Sequence, residues 1–355
     1  ALSLILTLII SLLLTIPTVT ASRLLLAWMH TPENIIAMAD AYIKVIFAGI
    51  LLTMAYNVLS GILRGIGDSR TPLYFLILSS VLNIILDVVL IVYTGLGTAG
   101  AAYATIIAQG VSAVLCFFYM YRKYDILRTR HEDYYLDSAG VKNMLAIGVP
   151  MALNYSITAI GTMIMQSAVN VFGSSVVAAF TAASKVSNIA TQSMPTLGTA
   201  MATYCGQNLG AGKYDRIYAG MRQGLFLCFG AAATAAAICI FGGRFIVSWF
   251  VSNPSEEIFS SAMQYLTIAS WFFLPLAMIF LYRNALQGLD QGLIPMLSGV
   301  VELACRFGVI ALIPASTGFF GVCFADPAAW AGAGIPLFIT YLLWEHRMKQ
   351  CSMAV

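Results

Sequence analysis

Long apolar segments follow one another through most of this sequence, and they restrict its fold more than any other feature. One of them, Leu73–Tyr93, is long enough to cross a hydrocarbon layer of roughly 30 Å at about 1.5 Å per helical residue. Of all residues, 60% are hydrophobic and 9% are charged, whereas a soluble domain has about 25% charged residues. The sequence therefore predicts an all-α polytopic membrane protein.

Ten such segments are predicted to cross the membrane as helices. They cover approximately residues 2–19, 39–62, 73–93, 98–121, 141–171, 175–205, 217–240, 258–287, 293–313 and 328–345. The most hydrophilic stretch of the chain, 122–140, separates the first four spans from the last six and is predicted to be a linker. The predicted domains are thus an N-terminal group of four helices, 1–121, and a C-terminal group of six, 141–355.

Basic residues are distributed unevenly over the connections between these spans. Thirteen lie on alternate connections: Arg64, Arg70, Arg122, Lys123, Arg128, Arg130, Lys142, Lys213, Arg216, Arg222, Arg283, Arg347 and Lys349. Only Arg23 and Arg244 lie on the others. Because loops rich in Lys and Arg stay in the cytoplasm, this distribution predicts a multi-pass protein of the cytoplasmic (inner) membrane with a cytoplasmic linker and C-terminus.

Two polar residues stand inside the third span. Asn83 and Asp87 are four residues apart, so they lie on one face of a helix, one turn from each other. A carboxylate inside a membrane costs about 2.5–3.5 kcal/mol or more, so such a residue usually marks an ion or substrate path. The alternative is a structural role, in which Asn83 holds Asp87 by a hydrogen bond.

An internal repeat appears when the chain is shifted by 223 residues. Leu63-Arg64-Gly65 then falls on Leu286-Gln287-Gly288, and Pro72 falls on Pro295. Both copies lie on connections predicted to be cytoplasmic, so the repeats are parallel, as in one class of secondary transporters. The prediction is two pseudo-symmetric bundles related by an axis along the membrane normal.

Several motifs in order resemble one transporter family. LRGIGDSRTP, NIILD, GLGTAGAAYATIIAQ and AMATYCGQNLGAGKYDRI are similar to the prokaryotic multidrug and toxic compound extrusion (MATE) transporters, from about residue 37 to the end. The resemblance implies twelve helices in two six-helix lobes around a cavity, with export of amphipathic, often cationic, compounds against Na⁺ or H⁺. The ten predicted spans would then be four and six of a six-plus-six plan, without the first two helices and the acidic residue that the first of them carries.

The same resemblance implies an ion site in the N-terminal lobe. Asn83 and Asp87 match its asparagine and aspartate, and Thr105 matches a threonine on the next helix. These oxygen atoms suit Na⁺ as a metal ligand set, or a proton held on Asp87. We expect no cofactor apart from this coupling ion.

The C-terminal half offers further candidates for contact with substrate or for coupling. Glu302 and Arg306 are four residues apart, which favours a salt bridge that fixes helix packing and leaves open a role in substrate or proton binding. Lys185 has no partner at helical spacing. Some family members have a carboxylate where this chain has Asn154 and Tyr155. Tyr155 and Gln166 are candidates for the wall of an adaptable cavity.

Other function classes are disfavoured by missing motifs. The alternatives are a flippase for lipid-linked oligosaccharides, for which more cationic residues would face the cavity, and an intramembrane prenyltransferase-type enzyme. The sequence contains no DxxD, HExxH or Walker motif, so neither an enzyme nor an ATP-driven pump is indicated. The expected partners are the lipid bilayer and an amphipathic small molecule, without nucleic acid, and the expected state is a monomer.

Overall fold

The computed structural model describes residues 1–28, 33–128, 135, 137–251, 255–313 and 315–353. These residues are almost entirely helical, and no β-strand occurs among them. The chain divides into two compact units, Ala1–Lys142 and Asn143–Val355. The predicted all-α class is confirmed for the described residues. Part of the predicted linker, at 129–134 and 136, lies outside them, and so does Arg130.

The first unit is organised around its last long helix. Its helices are α1 (Leu2–Thr20), α2 (Ser22–Trp28), α3 (Glu33–Ala48), α4 (Ile50–Gly65), α5 (Arg70–Val88) and α6 (Gly97–Lys123). Helices α3, α4 and α5 all pack on α6, and α1 packs on α4. The buried contact between α4 and α6 consists of Leu59 and Leu63 against Cys116 and Met120. Helix α6 therefore decides where α5 and its polar residues lie.

A tight turn places α5 and α6 side by side. The turn contains Gly95 and Gly97, with φ angles of 69° and 54°. Side chains with a Cβ atom rarely adopt such angles, so glycine suits both positions. Because the connection is this short, the two helices run antiparallel and one face of α5 packs against α6.

The second unit contains nine helices in its described residues. They are α7 (Ser138–Asn170), α8 (Ser174–Thr191), α9 (Ser193–Gly210), α10 (Tyr214–Phe250), α11 (Glu256–Trp271), α12 (Phe273–Gly288), α13 (Leu293–Leu312), α14 (Gly318–Val322) and α15 (Ala325–Met353). The start of α7 belongs to the first unit. The long α10 packs against α8, α9, α11 and α12, while α15 packs against α12 and α13. Large side chains such as Phe273, Met194 and Ile217 fill the core between them.

Prolines explain two breaks in the helices of this unit. A proline clashes with the carbonyl group four residues before it and cannot donate a hydrogen bond. Pro195 lies four residues after Thr191, the last residue of α8, and Pro275 lies four residues after Trp271, the last residue of α11. Helices α11 and α12 are bent by 53° at this break. The predicted span at 175–205 is therefore two short helices.

The number of spans in the structure differs from the predicted ten. Seven helices in the described residues are long and apolar enough to cross a membrane, and two bent pairs, Ile35–Gly65 and Glu256–Gly288, bring the count to nine at most. The pair α8 and α9 is not among them because polar residues such as Lys185 and Asn188 interrupt its apolar sequence. A multi-pass membrane protein is thus confirmed, and the count of ten is not.

Candidate functional site

The packing of α5 on α6 brings two predicted ion ligands together. The amide nitrogen Nδ2 of Asn83 donates to Oγ1 of Thr105 at 3.4 Å. Oγ1 of Thr105 in turn donates to the carbonyl oxygen of Ala101 at 3.0 Å. Thr105 therefore holds the asparagine and keeps a lone pair of its own available.

Asp87 lies one helical turn from Asn83 on the same face of α5. Since α5 and α6 are antiparallel, this turn is level with Ala101 when Asn83 is level with Thr105. Within the described residues, Oδ1 of Asp87 is buried and accepts no hydrogen bond, and the carboxylate forms no ion pair. A buried acceptor left without a partner costs about 1–3 kcal/mol, and more when it is charged. A proton or a small hard cation at this oxygen would remove that cost, so the residues present fit the predicted ligand.

A π-helical turn begins two residues after Asp87. It covers Val89–Tyr93 and interrupts the regular hydrogen bonding of the helix. Gly100 on α6 makes room for it, because a Cβ atom there would lie 2.8 Å from the carbonyl oxygen of Leu90. Such turns are frequent at functional sites. The sequence carried no signal from which this turn could be read.

The charged turn before α5 is built around Asp68. Its Oδ1 accepts the backbone N–H of Thr71 at 3.0 Å, and its Oδ2 accepts the hydroxyl groups of Thr71 at 2.7 Å and Tyr124 at 2.6 Å. Lys123 lies 3.6 Å from the same oxygen. Burial alone would raise the pKa of Asp68, but the hydrogen bonds and the nearby lysine lower it well below the ordinary value of 3.8.

We expect Asp68→Asn to lower stability by about 1–2 kcal/mol at neutral pH, because in either orientation the amide N–H₂ group replaces an oxygen that accepts from Thr71 or Tyr124. Since the pKa of Asp68 is lower in the folded protein, its contribution is present above pH 3.8 and declines as the pH falls below that value. Thermal unfolding of both proteins across pH measures the difference. Asp125→Asn, in an exposed pair with Arg128, is the control and should change stability by less than about 1 kcal/mol. An equal loss in both variants would contradict the assignment.

The second unit contains a cavity of about 480 Å³. It is lined by Asn154, Tyr155, Thr158, Thr162, Met165, Gln166, Phe180, Ser184, Ser187, Asn188, Thr191, Tyr265, Leu276, Ile279, Phe280, Arg283, Glu302, Arg306, Asp326 and Trp330. Five of the six residues predicted for substrate contact or coupling are among these. The structure brings Asn154, Tyr155 and Gln166 of α7 to the same cavity as Glu302 and Arg306 of α13.

Four charged side chains form one network in the wall of this cavity. Glu302 Oε2 lies 2.9 Å from Nη2 of Arg283, and Glu302 Oε1 lies 3.3 Å from Nη2 of Arg306. Nε of Arg306 donates to Oδ1 of Asp326 at 2.9 Å, and the hydroxyl of Tyr265 donates to Oδ2 of the same carboxylate at 2.9 Å. The network joins α11, α12, α13 and α15, and its formal charges sum to zero.

The predicted pairing of Glu302 with Arg306 is confirmed, and two members of the network were missed. Arg283 was placed on a cytoplasmic connection, but it lies inside α12 and is buried. That assignment was wrong, because position 283 already falls within the predicted span 258–287 and its helix continues to Gly288. Asp326 lay before the predicted last span, which in the structure starts earlier, at Gly318. Neither residue has a partner at helical spacing, so no local pattern predicted their contacts.

Lys185 does not belong to the cavity lining. It is exposed on α8, and its Nζ lies 5.4 Å from the ring centroid of Phe250. No salt bridge to Lys185 occurs within the described part of the chain. A role for Lys185 in coupling stays a prediction.

Gly161 of α7 provides the space for Arg306. A Cβ atom at this glycine would overlap Nη1 of Arg306. We expect Gly161→Ala to lower stability by about 1–3 kcal/mol, because the ion pairs and burial of Arg306 prevent its guanidinium group from moving aside. Gly148→Ala on the same helix, where nothing lies within 4 Å, is the matched control and should be neutral or stabilising. Thermal unfolding in detergent compares the two, and equal melting temperatures would contradict the close contact.

Comparison with known proteins agrees with this architecture. The sequence model that defines the MatE family matches residues 1–89 and 150–312, which are more than half of the chain. The chain belongs to the MatE family. The predicted resemblance is therefore confirmed. Because members of this family are membrane transporters, the prediction that the protein is not an enzyme is confirmed as well.

Curated proteins similar to this chain are named for different transported compounds. A probable multidrug resistance protein YpnP of Bacillus subtilis is 30% identical over 306 residues, covering 85% of this chain and 67% of the relative. Probable multidrug resistance protein NorM of Thermotoga maritima is 25% identical, with 75% and 57% covered. An FAD transporter of Shewanella oneidensis is also 25% identical, with 81% and 63% covered. The chain spans about three fifths of the length of these MatE relatives.

Solved structures share the fold. A multidrug resistance MATE family transporter in an outward-facing conformation has a TM-score of 0.89 at 22% identity, covering 98% of this chain and 78% of that one. A MOP superfamily transporter from Pyrococcus furiosus has a TM-score of 0.90, with the same identity and coverage. At this identity, the likeness shows the MatE fold alone.

Proposed function

We propose that this protein exports amphipathic small molecules, often cationic, by alternating access, driven by antiport of H⁺ or Na⁺. The observation that carries the proposal is the buried Oδ1 of Asp87, which has no hydrogen-bond partner in the described part of the chain and lies one turn from Asn83, the residue in contact with Thr105. A carboxylate whose charge is neutralised by ion binding can shift a two-state equilibrium between inward and outward forms. Family membership supports transport as the activity.

The cavity of the second unit supports cationic or N–H-rich substrates. The hydroxyl groups of Thr158, Thr162 and Thr191 donate their protons to carbonyl oxygens of their own helices. The side-chain amides of Asn154 and Gln166 also donate within the protein. The remaining lone pairs of these groups can accept hydrogen bonds from a ligand, whereas Nε of Arg283, Nη1 of Arg306 and Oγ of Ser184 line the same cavity as donors without a partner in the described residues. Because one relative is named for a nucleotide cofactor, the substrate class proposed here depends on this lining and not on the relatives.

Aromatic residues add to this preference for cations. Tyr155 is 70% exposed and Trp330 lines the same cavity, and a cation over such rings gains about 0.5–2 kcal/mol. A flippase for lipid-linked oligosaccharides would need positive charge for the diphosphate group. Arg283 and Arg306 do face the cavity, but each is bound to a carboxylate, so the described lining supplies no net positive charge from them.

The finer architecture and location are part of the same proposal. We propose ten membrane helices, four and six, in two pseudo-symmetric bundles, with the pair α8 and α9 as the tenth span. Without Arg283, twelve basic residues remain on the connections assigned to the cytoplasm, against two on the others. This asymmetry supports a cytoplasmic-membrane protein with a cytoplasmic C-terminus. The proposed state is a monomer in the bilayer.

Dye transport in proteoliposomes tests the proposed function. Vesicles containing the protein are loaded with ethidium, a cationic amphipathic dye, and a pH gradient or an Na⁺ gradient is imposed separately. We expect dye efflux to follow one of the two gradients and to stop when that gradient is collapsed by an ionophore. Dye movement that is independent of both gradients would overturn ion-coupled antiport.

A further inference from the structure

A second pocket lies in the second unit, apart from the cavity described above. Its volume is about 450 Å³, within the roughly 300–1,000 Å³ of small-molecule sites. Helix α10 contributes Tyr218 and Arg222 to its wall, α12 contributes Tyr282, and α15 contributes Tyr341 and Glu345. No described residue lines both this pocket and the cavity. We name it the α10–α15 pocket.

Arg222 gives the depth of this pocket in the membrane. Residues 223–243 contain no charged side chain, and Arg244 follows them on the same helix. The two arginines are therefore about 33 Å apart along the helix axis, close to the roughly 30 Å thickness of the hydrocarbon layer. Phe226, one turn after Arg222, is 70% exposed, which suits a side chain in contact with lipid. Arg222 thus lies at the level of the phospholipid headgroups, on the side assigned to the cytoplasm.

A buried hydroxyl group faces no partner at this pocket. Tyr341 is only 4% exposed, and its hydroxyl oxygen has no hydrogen-bond partner in the described residues. Buried polar groups in native proteins are nearly always hydrogen-bonded, because leaving one unpaired is costly. An unpaired hydroxyl beside a pocket therefore indicates an occupant that supplies the partner.

Aromatic rings surround this hydroxyl group. The ring centroid of Tyr341 lies 5.4 Å from that of Tyr282 and 6.1 Å from that of Trp344, which lies 6.4 Å from that of Tyr218. Tyrosine and tryptophan are enriched at the headgroup level of membranes, and the faces of their rings attract cations. Glu345 follows Tyr341 by one turn on the same face of α15. This side of the pocket therefore suits a cationic group.

The two charged side chains of the pocket have opposite signs and stand on different helices. Arg222 lies on α10 and Glu345 on α15, and both of these helices pack on α12. Arg222 forms no salt bridge within the described part of the chain, so its guanidinium group is available to an anion. The lining then matches a ligand with one anionic and one cationic group. A purely anionic headgroup would bring its charge to Glu345 without compensation.

We propose that the α10–α15 pocket binds the headgroup of a zwitterionic aminophospholipid, of the phosphatidylethanolamine type. Its phosphodiester contacts Arg222 and accepts the hydroxyl proton of Tyr341, while its ammonium group donates hydrogen bonds to Glu345 beside the aromatic rings. Its acyl chains extend along exposed apolar side chains such as Phe226 of α10 and Leu342 of α15. The cytoplasmic leaflet follows from the orientation proposed above, whereas the site itself does not depend on transport.

Lipid binding to the full chain tests this site. The delipidated protein in detergent is titrated separately with dioleoyl phosphatidylethanolamine, phosphatidylcholine and phosphatidylglycerol, and bound lipids are counted by native mass spectrometry. Inorganic phosphate is the soluble probe, followed by thermal unfolding. Arg222→Gln removes the charge, and Tyr341→Phe removes the unpaired hydroxyl group. The matched control is Arg216→Gln, because Arg216 is exposed on the same helix and does not line the pocket.

We expect phosphatidylethanolamine to bind more tightly than the other two lipids. Arg222→Gln should weaken its binding at least about tenfold, because a charge-assisted hydrogen bond is lost, and Tyr341→Phe by about threefold to tenfold. Arg216→Gln should bind like the wild type. The lipid-free Tyr341→Phe protein should melt at or above the wild-type temperature, whereas loss of a structural hydrogen bond would lower it. Glu345→Gln should reduce the preference for phosphatidylethanolamine over phosphatidylglycerol.

Three results would overturn the proposal. The first is equal binding of phosphatidylethanolamine by the wild type and Arg222→Gln. The second is binding of phosphatidylglycerol or phosphatidylcholine as tight as that of phosphatidylethanolamine, since neither has an ammonium group that donates to Glu345. The third is stabilisation by inorganic phosphate equal to that by the lipid and absent in Arg222→Gln, which would show a site for a soluble anion. A failure of ion-coupled efflux would leave the lipid site unaffected.

Discussion

Replacement of Asp87 by asparagine is expected to abolish gradient-driven efflux. The amide has the same size as the carboxylate and can keep the helix packing of α5 on α6, but it cannot bind a proton or compensate the charge of Na⁺. The ion then no longer favours one conformation over the other, so the coupling free energy is lost. Because such coupling is worth about 5–150-fold in affinity, we expect the gradient-dependent rate to fall by about two orders of magnitude.

The matched control for this experiment is Asp40→Asn. Asp40 is also a carboxylate of the first unit, but it lies 2.7 Å from Lys44 and accepts a hydrogen bond from Ser22 at 2.6 Å. Its charge is thus already compensated, and we expect its variant to retain efflux. The measurement is ethidium efflux under each gradient at matched protein levels in the membrane. Undiminished efflux by Asp87→Asn would show that Asp87 has only the structural role.

The largest loss of stability is expected from Arg306→Met. Arg306 is only 3% exposed and binds both Glu302 and Asp326. Methionine fills much of the same volume but leaves the carboxylate of Asp326 with the hydroxyl of Tyr265 and without its ion pair. Removing one partner of a buried ion pair costs about 3–5 kcal/mol, because the remaining charge stays buried without compensation.

A surface ion pair of the same unit provides the comparison. Arg244 pairs with Glu256, and the two side chains are 59% and 79% exposed. Arg244→Met should therefore cost no more than about 1 kcal/mol. The double variant Arg306→Met with Asp326→Asn should recover part of the stability lost in Arg306→Met, because the carboxylate is then neutral. Thermal unfolding in detergent measures all three, and equal melting temperatures for the two arginine variants would contradict the network.

The positions of the candidate ion ligands on α5 could be predicted from local sequence. Asn83 and Asp87 share a helical face whatever the rest of the chain does, because helical periodicity fixes side-chain direction. Thr105 came from the family resemblance, and the structure places it in contact with Asn83. Their role in ion binding stays a prediction that the experiments above decide.

Ion pairs between residues that are distant in the sequence could not be predicted. Arg283 and Glu302 meet across two helices, and Arg306 meets Asp326 across another pair. The spacing between such partners in the sequence depends on loop lengths and packing and has no fixed period. Arg283 was counted with a cytoplasmic connection although it stands near the end of the predicted span 258–287, because nothing within that segment indicated its buried partner.

For the helix breaks too, one property could be predicted from local sequence and another depended on packing. Pro195 and Pro275 mark positions where a helix is weakened, and this is a local property of proline. The size of the bend, such as 53° between α11 and α12, depends on the helices packed around the break. Gly49, between α3 and α4, lies so close to α6 that a Cβ atom there would overlap Ile106, so the requirement for glycine at this position depends on packing.

The sequence by itself determined the helical membrane class, the family and the helical faces on which the polar residues stand, since apolar length and the 3.6-residue period act locally along the chain. Only the tertiary structure decided which of these faces meet. It joined Asn83 to Thr105, assembled the four-charge network and brought together the residues that line the cavity. The physical reason is that such contacts depend on the packing of helices distant in the sequence, and no pattern within one segment specifies its neighbour.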